Sequence, residues 1–75
     1  MSVEAIDAVI LNVAMMRWQK TAMIIVKSQE SLRASNVEAS YDDIAERVYV
    51  LASQGRLEGQ GDLSLWRHSE VRLPG

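Results

Sequence analysis

The chain has 75 residues, 48% of them apolar and 24% charged, with a net charge of −2 and no cysteine. That length holds one domain, here 1–75, with a modest core that buries only ~60–65% of the unfolded surface. The composition excludes disulfide staples and thiolate metal sites, and argues against disorder and against a general affinity for phosphate backbones. Apolar runs such as Met23–Val26 are far too short to cross a bilayer. No basic stretch leads into an apolar one at the start, so a secretory signal is not expected and the cytoplasm is the default compartment.

Charge alternates along the chain. Residues 1–14 carry Glu4 and Asp7, net −2, and residues 15–35 carry Arg17, Lys20, Lys27 and Arg33 against Glu30, net +3. Residues 36–54 set Glu38, Asp42, Asp43 and Glu46 against Arg47, net −3, and the last 21 residues balance three arginines with three acids.

Val3, Ile6, Ile10 and Val13 recur on one helical face, widened by Ala5, Ala8, Val9 and Leu11. Ser2 is the expected cap, with Glu4 and Asp7 at the positive end of the helix dipole. A bend is expected between Asn12 and Arg17. A second helix is predicted over Trp18–Arg33, with Trp18, Ala22, Ile25 and Leu32 on its buried side, Val26 beside them, and Lys20, Lys27 and Glu30 toward water. "ASNVEAS" (34–40) reads as a loop. "SYDD" then gives the clearest local signal, a capping box in which Ser40 caps and Asp43 reaches back. Ile44, Val48 and Leu51, with Ala45 and Ala52, form the stripe of a third helix that Gly55 stops.

Beyond Gly55 the period shortens to two. Leu57 alternates with Arg56 and Glu58, and Val71 and Leu73 share a face opposite Glu70 and Arg72. Gly59 and Gly61 mark a bulge or strand end, and the connection from Asp62 through about His68 is too long for a two-residue hairpin turn. The predicted fold is mainly α: a three-helix unit with a C-terminal two-stranded β-hairpin, in winged-helix-like order.

The closing stretch "VLASQGRLEGQGDLSLWRHSEVRL" resembles the end of a bacterial family known only as a domain of unknown function. Members often finish with a helix, then "GRLE..GD", then "R.SEVRL", and Trp18 at the start of the second helix also looks like that family. The resemblance implies a winged-helix-like fold and brings no catalytic residues with it.

His68 is the only histidine. Catalysis or metal binding there would need a nucleophile or further ligands; Asp62, Ser64 and Ser69 are near in sequence but are ordinary loop residues. Asp42, Asp43 and Glu46 suggest a divalent cation only until the capping box and the helix dipole account for the first two. No nucleophile–base pair, phosphate loop or metal motif is visible, so neither an enzyme nor a cofactor is expected. Nucleic-acid binding is the alternative suggested by the fold order. It would place Tyr41, Asp42, Asp43 and Glu46 in the major groove, where three carboxylates are repelled. Arg56, Arg67 and Arg72 are cancelled locally by Glu58, Asp62 and Glu70. The basic second helix is a weak patch for lipid, and its cations are expected to face the acidic first and third helices, within one chain or across a dimer.

"DLSLWRH" (62–68) is the stretch without a bland explanation. Leu63, Leu65, Trp66 and Arg67 either fold back on the helices, onto Val9 or Met15, or form an interaction surface of the aromatic and arginine type found at interface centres. The expectation is a non-catalytic protein-interaction module that self-associates as a homodimer, since so small a core benefits from a partner.

Overall fold

The computed structural model describes residues 3–75, so the expected cap at Ser2 lies outside the described residues. The chain runs α1 (Val3–Val13), β1 (Gln19–Lys20), α2 (Thr21–Ala34), α3 (Tyr41–Ser53), β2 (Glu58–Gly61), a short 3-10 turn (Trp66–His68) and β3 (Ser69–Arg72). Three helices pack together, and an antiparallel sheet of order β1-β3-β2 lies against them. The arrangement is mainly α and winged-helix-like.

α1 buries Ile6 and Ile10 from the expected stripe, while Val9, Leu11 and Val13 pack at its margin and Val3 stays exposed. The helix ends where a bend was expected, and the chain turns through 14–18. α3 starts as the capping box requires. Ser40 Oγ accepts from the Asp43 N–H at 3.0 Å, and the Asp43 carboxylate accepts from the Ser40 N–H at 3.1 Å. Ile44, Val48 and Leu51 are fully buried. The helix stops at Gly55, φ +77°. The Gly55 N–H bonds to the Ala52 carbonyl and the Arg56 N–H to the Leu51 carbonyl, which satisfies the last carbonyls in a Schellman motif. α2 closes the same way with Asn36 in the left-handed position, φ 60°, and bonds from Asn36 to Arg33 and from Val37 to Leu32.

The second helix departs from the expected Trp18–Arg33. It begins at Thr21, because Gln19 and Lys20 pair in extended form with Val71 and Glu70 of β3. Trp18 is therefore not a core residue on α2. It sits half-buried, with the Arg72 guanidinium 4.4 Å from its ring centroid. The buried face of α2 is also rotated from the expected one. It carries Thr21, Ile24, Ile25, Ser28 and Leu32, and leaves Val26 exposed. The cause is polar but small. Thr21 faces the sheet, and Ser69 Oγ donates to Thr21 Oγ1 at 2.9 Å inside the core.

β3 is the middle strand. Its alternation sends Ser69 and Val71 inward, and Val71 is 1% exposed beside Leu57 at 2%. Leu73 is half-buried, and its N–H bonds to the Met15 carbonyl at 2.7 Å. The hairpin was expected with two strands; β1 makes it a three-stranded sheet. The outer face carries Gln60 against Glu70, and Arg72 against Glu58 at 3.2 Å.

Gly55 and Gly61 have nearly the same left-handed backbone, φ +77° and +79°, in different surroundings. A Cβ on Gly55 meets nothing within 4 Å, whereas one on Gly61 falls 2.6 Å from the His68 carbonyl oxygen on the paired strand end. Gly55→Ala should therefore cost about 1 kcal/mol, the left-handed penalty alone. Gly61→Ala should cost roughly 2–4 kcal/mol, because the backbone of the turn before β3 must also move. Urea denaturation of the two variants checks the order.

Candidate functional site

The loop between β2 and β3 is built from its own short-range bonds. Asp62 Oδ1 accepts from Ser64 Oγ at 2.6 Å and from the Ser64 N–H at 3.0 Å. The Leu65 N–H then closes a turn on the Asp62 carbonyl, and the His68 N–H closes the 3-10 turn on the Leu65 carbonyl. Local bonding of this kind lets a short polar residue direct the chain without a partner element. It lifts Leu63, Leu65, Trp66 and Arg67 to different depths.

Leu63 is half-buried and lies over Gly59, where a Cβ would stand 2.6 Å from its Cδ1. Gly59 is thus the seat of Leu63. Leu65 points outward and is 53% exposed. Trp66 is half-buried against the edge of the core, and Arg67 is exposed with its guanidinium 5.6 Å from the indole centroid. The ring that Trp66 meets is Tyr41 of α3, edge-on, with centroids 5.9 Å apart and planes at 64°. That is the attractive geometry for two aromatic quadrupoles. The loop thus folds back on the helices: its 3-10 turn packs along α2 and β1, and the Trp66 ring meets Tyr41 at the start of α3. His68 is exposed beside Lys20, Arg67 and Glu70.

α3 supplies the other wall. Across an open groove from Leu63 and Trp66 stand Asp42, Ala45, Glu46 and Tyr49. Tyr49 is 51% exposed and Tyr41 40%. This is the outward face of the helix that a winged-helix protein would present to a duplex. Its carboxylates are Asp42 and Glu46; Asp43 is turned back as the capping partner. The only cation on α3, Arg47, is turned the other way. Its Nε and Nη2 donate to the two oxygens of Asp7 on α1, both at 2.8 Å, in a bidentate clasp. The hydrogen bond to Asp7 holds the guanidinium even further above its ordinary range, so it remains charged.

Among the described residues the cations of β1 and α2 make no ion pair with the acidic helices. Among the described residues the ion pairs are Arg47–Asp7 and Arg72–Glu58, and Lys20, Lys27 and Arg33 are exposed. The within-chain pairing expected for the basic segment is absent there. The pair that does join acidic and basic positions crosses from α1 to α3.

Of the four residues singled out in the loop, the structure brings Leu63 and Trp66 to the α3 groove and Leu65, Trp66 and Arg67 to the adjoining surface. Sequence reasoning missed Tyr41 and Tyr49 as their companions. The spacing of eight was available as a signal, since positions 41, 45 and 49 share a helix face.

Asp62 is held below the ordinary aspartate value of 3.8 by the Ser64 hydroxyl and then by the Ser64 N–H. A lowered folded-state value means that the loop bonds add stability above the ordinary value. That contribution fades as pH falls through the folded-state value. The carboxyl carbon shift of Asp62 should titrate with a midpoint below 3.8. Ser64→Ala should move the midpoint back up, and an unmoved midpoint would show that the loop bonds do not hold the carboxylate.

Comparison with protein-family models, with curated proteins and with solved structures finds no match, so the functional reading rests on the residues of this chain.

Proposed function

We propose that this chain is a small cytoplasmic protein-interaction module without chemistry of its own, and that it self-associates. The contact surface is the 63–67 loop together with the outward face of α3. The observation that carries this reading is the disposition of α3. Its exposed face is acidic and aromatic, its single cation is committed to Asp7, and its groove continues onto an exposed leucine and a half-buried tryptophan capped by an arginine. Tryptophan, tyrosine and arginine are the side chains that dominate interface centres. The resemblance of the closing "GRLE…SEVRL" pattern to the family of unknown function supports the fold in this reading and adds no partner.

If the loop is a contact surface, its outermost residues are dispensable for folding. Leu65→Glu and Arg67→Ala should each leave the unfolding free energy within about 0.5 kcal/mol of the parent, as exposed substitutions do. Chemical denaturation followed by circular dichroism measures this. Loss of the folded state in Leu65→Glu would make the loop a structural plug and overturn the contact reading.

Nucleic-acid binding is the second reading, favoured by the winged-helix-like order of elements. α3 opposes it, since Asp42 and Glu46 occupy the face that would meet phosphates. Affinity for a random duplex at physiological salt should be weaker than the usual non-specific range of ~10⁻⁴–10⁻⁶ M. Fluorescence anisotropy with a labelled duplex checks this, and tight, steeply salt-dependent binding would promote the second reading over the first.

A further inference from the structure

Resting on the contact-surface reading, we infer that the occupant of this surface is a second copy of the chain, docked about a twofold axis that passes near Leu65 and Trp66. The argument is the order of charges along the surface. Three shallow hollows run side by side and share residues. The first lies between Asp42 and Glu46 of α3 and the Trp66 side of the loop. The second is the apolar middle, with Leu65 and Trp66, and shares Ser64 and Trp66 with the first. The third holds Lys20 with Arg67 and His68, and shares those last two with the second. The surface therefore passes from two carboxylates, over an apolar centre, to two cations.

Such a surface is complementary to itself. A twofold contact is isologous: the patch meets its own copy reversed, so that residue i faces j and j faces i. Reversal lays the Asp42–Glu46 end of one copy on the Lys20–Arg67 end of the other, twice, and brings the two Leu65 side chains together at the centre. A parallel stacking would oppose like charges and is disfavoured by the same arrangement. Glu70 also stands at the basic end, opposite Lys20 in the strand pair, and against the two cations Lys20 and Arg67 it leaves that end with a positive excess. At the acidic end Arg47 is aimed at α1, where its Nε and Nη2 donate to Asp7, and among the described residues no ion pair joins it to Asp42 or Glu46. The two ends are thus left to satisfy each other between chains. The half-buried Trp66, fixed edge-on by Tyr41, supplies a rigid centre that loses little freedom on docking.

The test uses charge reversal at opposite ends. Sedimentation equilibrium of the parent chain from 10 μM to 1 mM should give a mass that rises above 8.4 kDa, and that rise should shrink with added salt. Glu46→Lys makes a homodimer with cation on cation, and Arg67→Glu makes one with acid on acid. Each alone should weaken association at least tenfold. Mixed in equal amounts they should associate again, since each mismatched end then meets its complement, and the double variant should also recover. Asp42→Lys and Lys20→Glu repeat the design at the outer positions. All four residues are exposed or half-buried at the surface, and circular dichroism confirms that each variant is folded.

A folded parent that stays monomeric at 1 mM overturns the self-pairing and with it the self-association proposed above, and leaves only the loop and α3 face as a contact surface for a different partner. Single variants that associate as the parent does, or mixtures that fail to recover, place the dimer contact elsewhere and likewise overturn it. Unfolding of Leu65→Glu, by contrast, removes the contact surface itself.

Discussion

The fold depends on β3 being the middle strand. Four residues, Ser69–Arg72, bond on one side to the segment that leads into α2 and on the other to the segment that follows α3. The chain's end therefore fixes two connections made much earlier. Val71 turns inward from that strand and is essentially inaccessible, in contact with a core of isoleucines and leucines from all three helices. Each inward position of β3 has a neighbour suited to it. Ser69 finds Thr21, and Val71 lies opposite Gly59, where the absence of a side chain leaves room for Leu63. A sheet with so few residues per strand has little stability alone, and it persists here because its inner face is the lid of the helical core.

That placement of the sheet also shapes the surface. Because β2 ends at a left-handed glycine pressed against the His68 carbonyl, the loop leaves the sheet sharply and is carried toward the helices. The Asp62–Ser64 bonds continue the turn, and Trp66 arrives beside Tyr41. In the winged-helix-like layout this loop is the wing. Here its turn packs along α2 and sets the Trp66 ring against Tyr41 at the start of α3. The same turn makes the exposed Tyr49 and two carboxylates one wall of a groove.

The Arg47–Asp7 clasp bears on the surface as much as on the packing. It ties α1 to α3 across 40 residues of sequence, with both side chains largely shielded from water. Among the described residues Arg47 makes no ion pair with the outward carboxylates of its own helix, so Asp42 and Glu46 set the sign of that face.

The sequence by itself determined the elements whose causes are local. The 3.6-residue spacing of Ile6 and Ile10, and of Ile44, Val48 and Leu51, needs no distant contact to be recognised, and neither do the reciprocal bonds of Ser40 and Asp43 or the stop at Gly55. The alternation around Val71 was readable for the same reason. The 62–68 loop was legible only as apolar residues without cover. Tertiary structure alone decided the rest. β1 is two residues long and has no period of its own; Gln19 and Lys20 are extended because β3 offers them bonds. The turn of α2 that buries Thr21 against Ser69 of the sheet also leaves Val26 exposed. The pairing of Arg47 with Asp7 and the meeting of Trp66 with Tyr41 join positions far apart in the chain. Their partners are chosen by the packing of whole helices, a non-local free energy that no window of sequence contains.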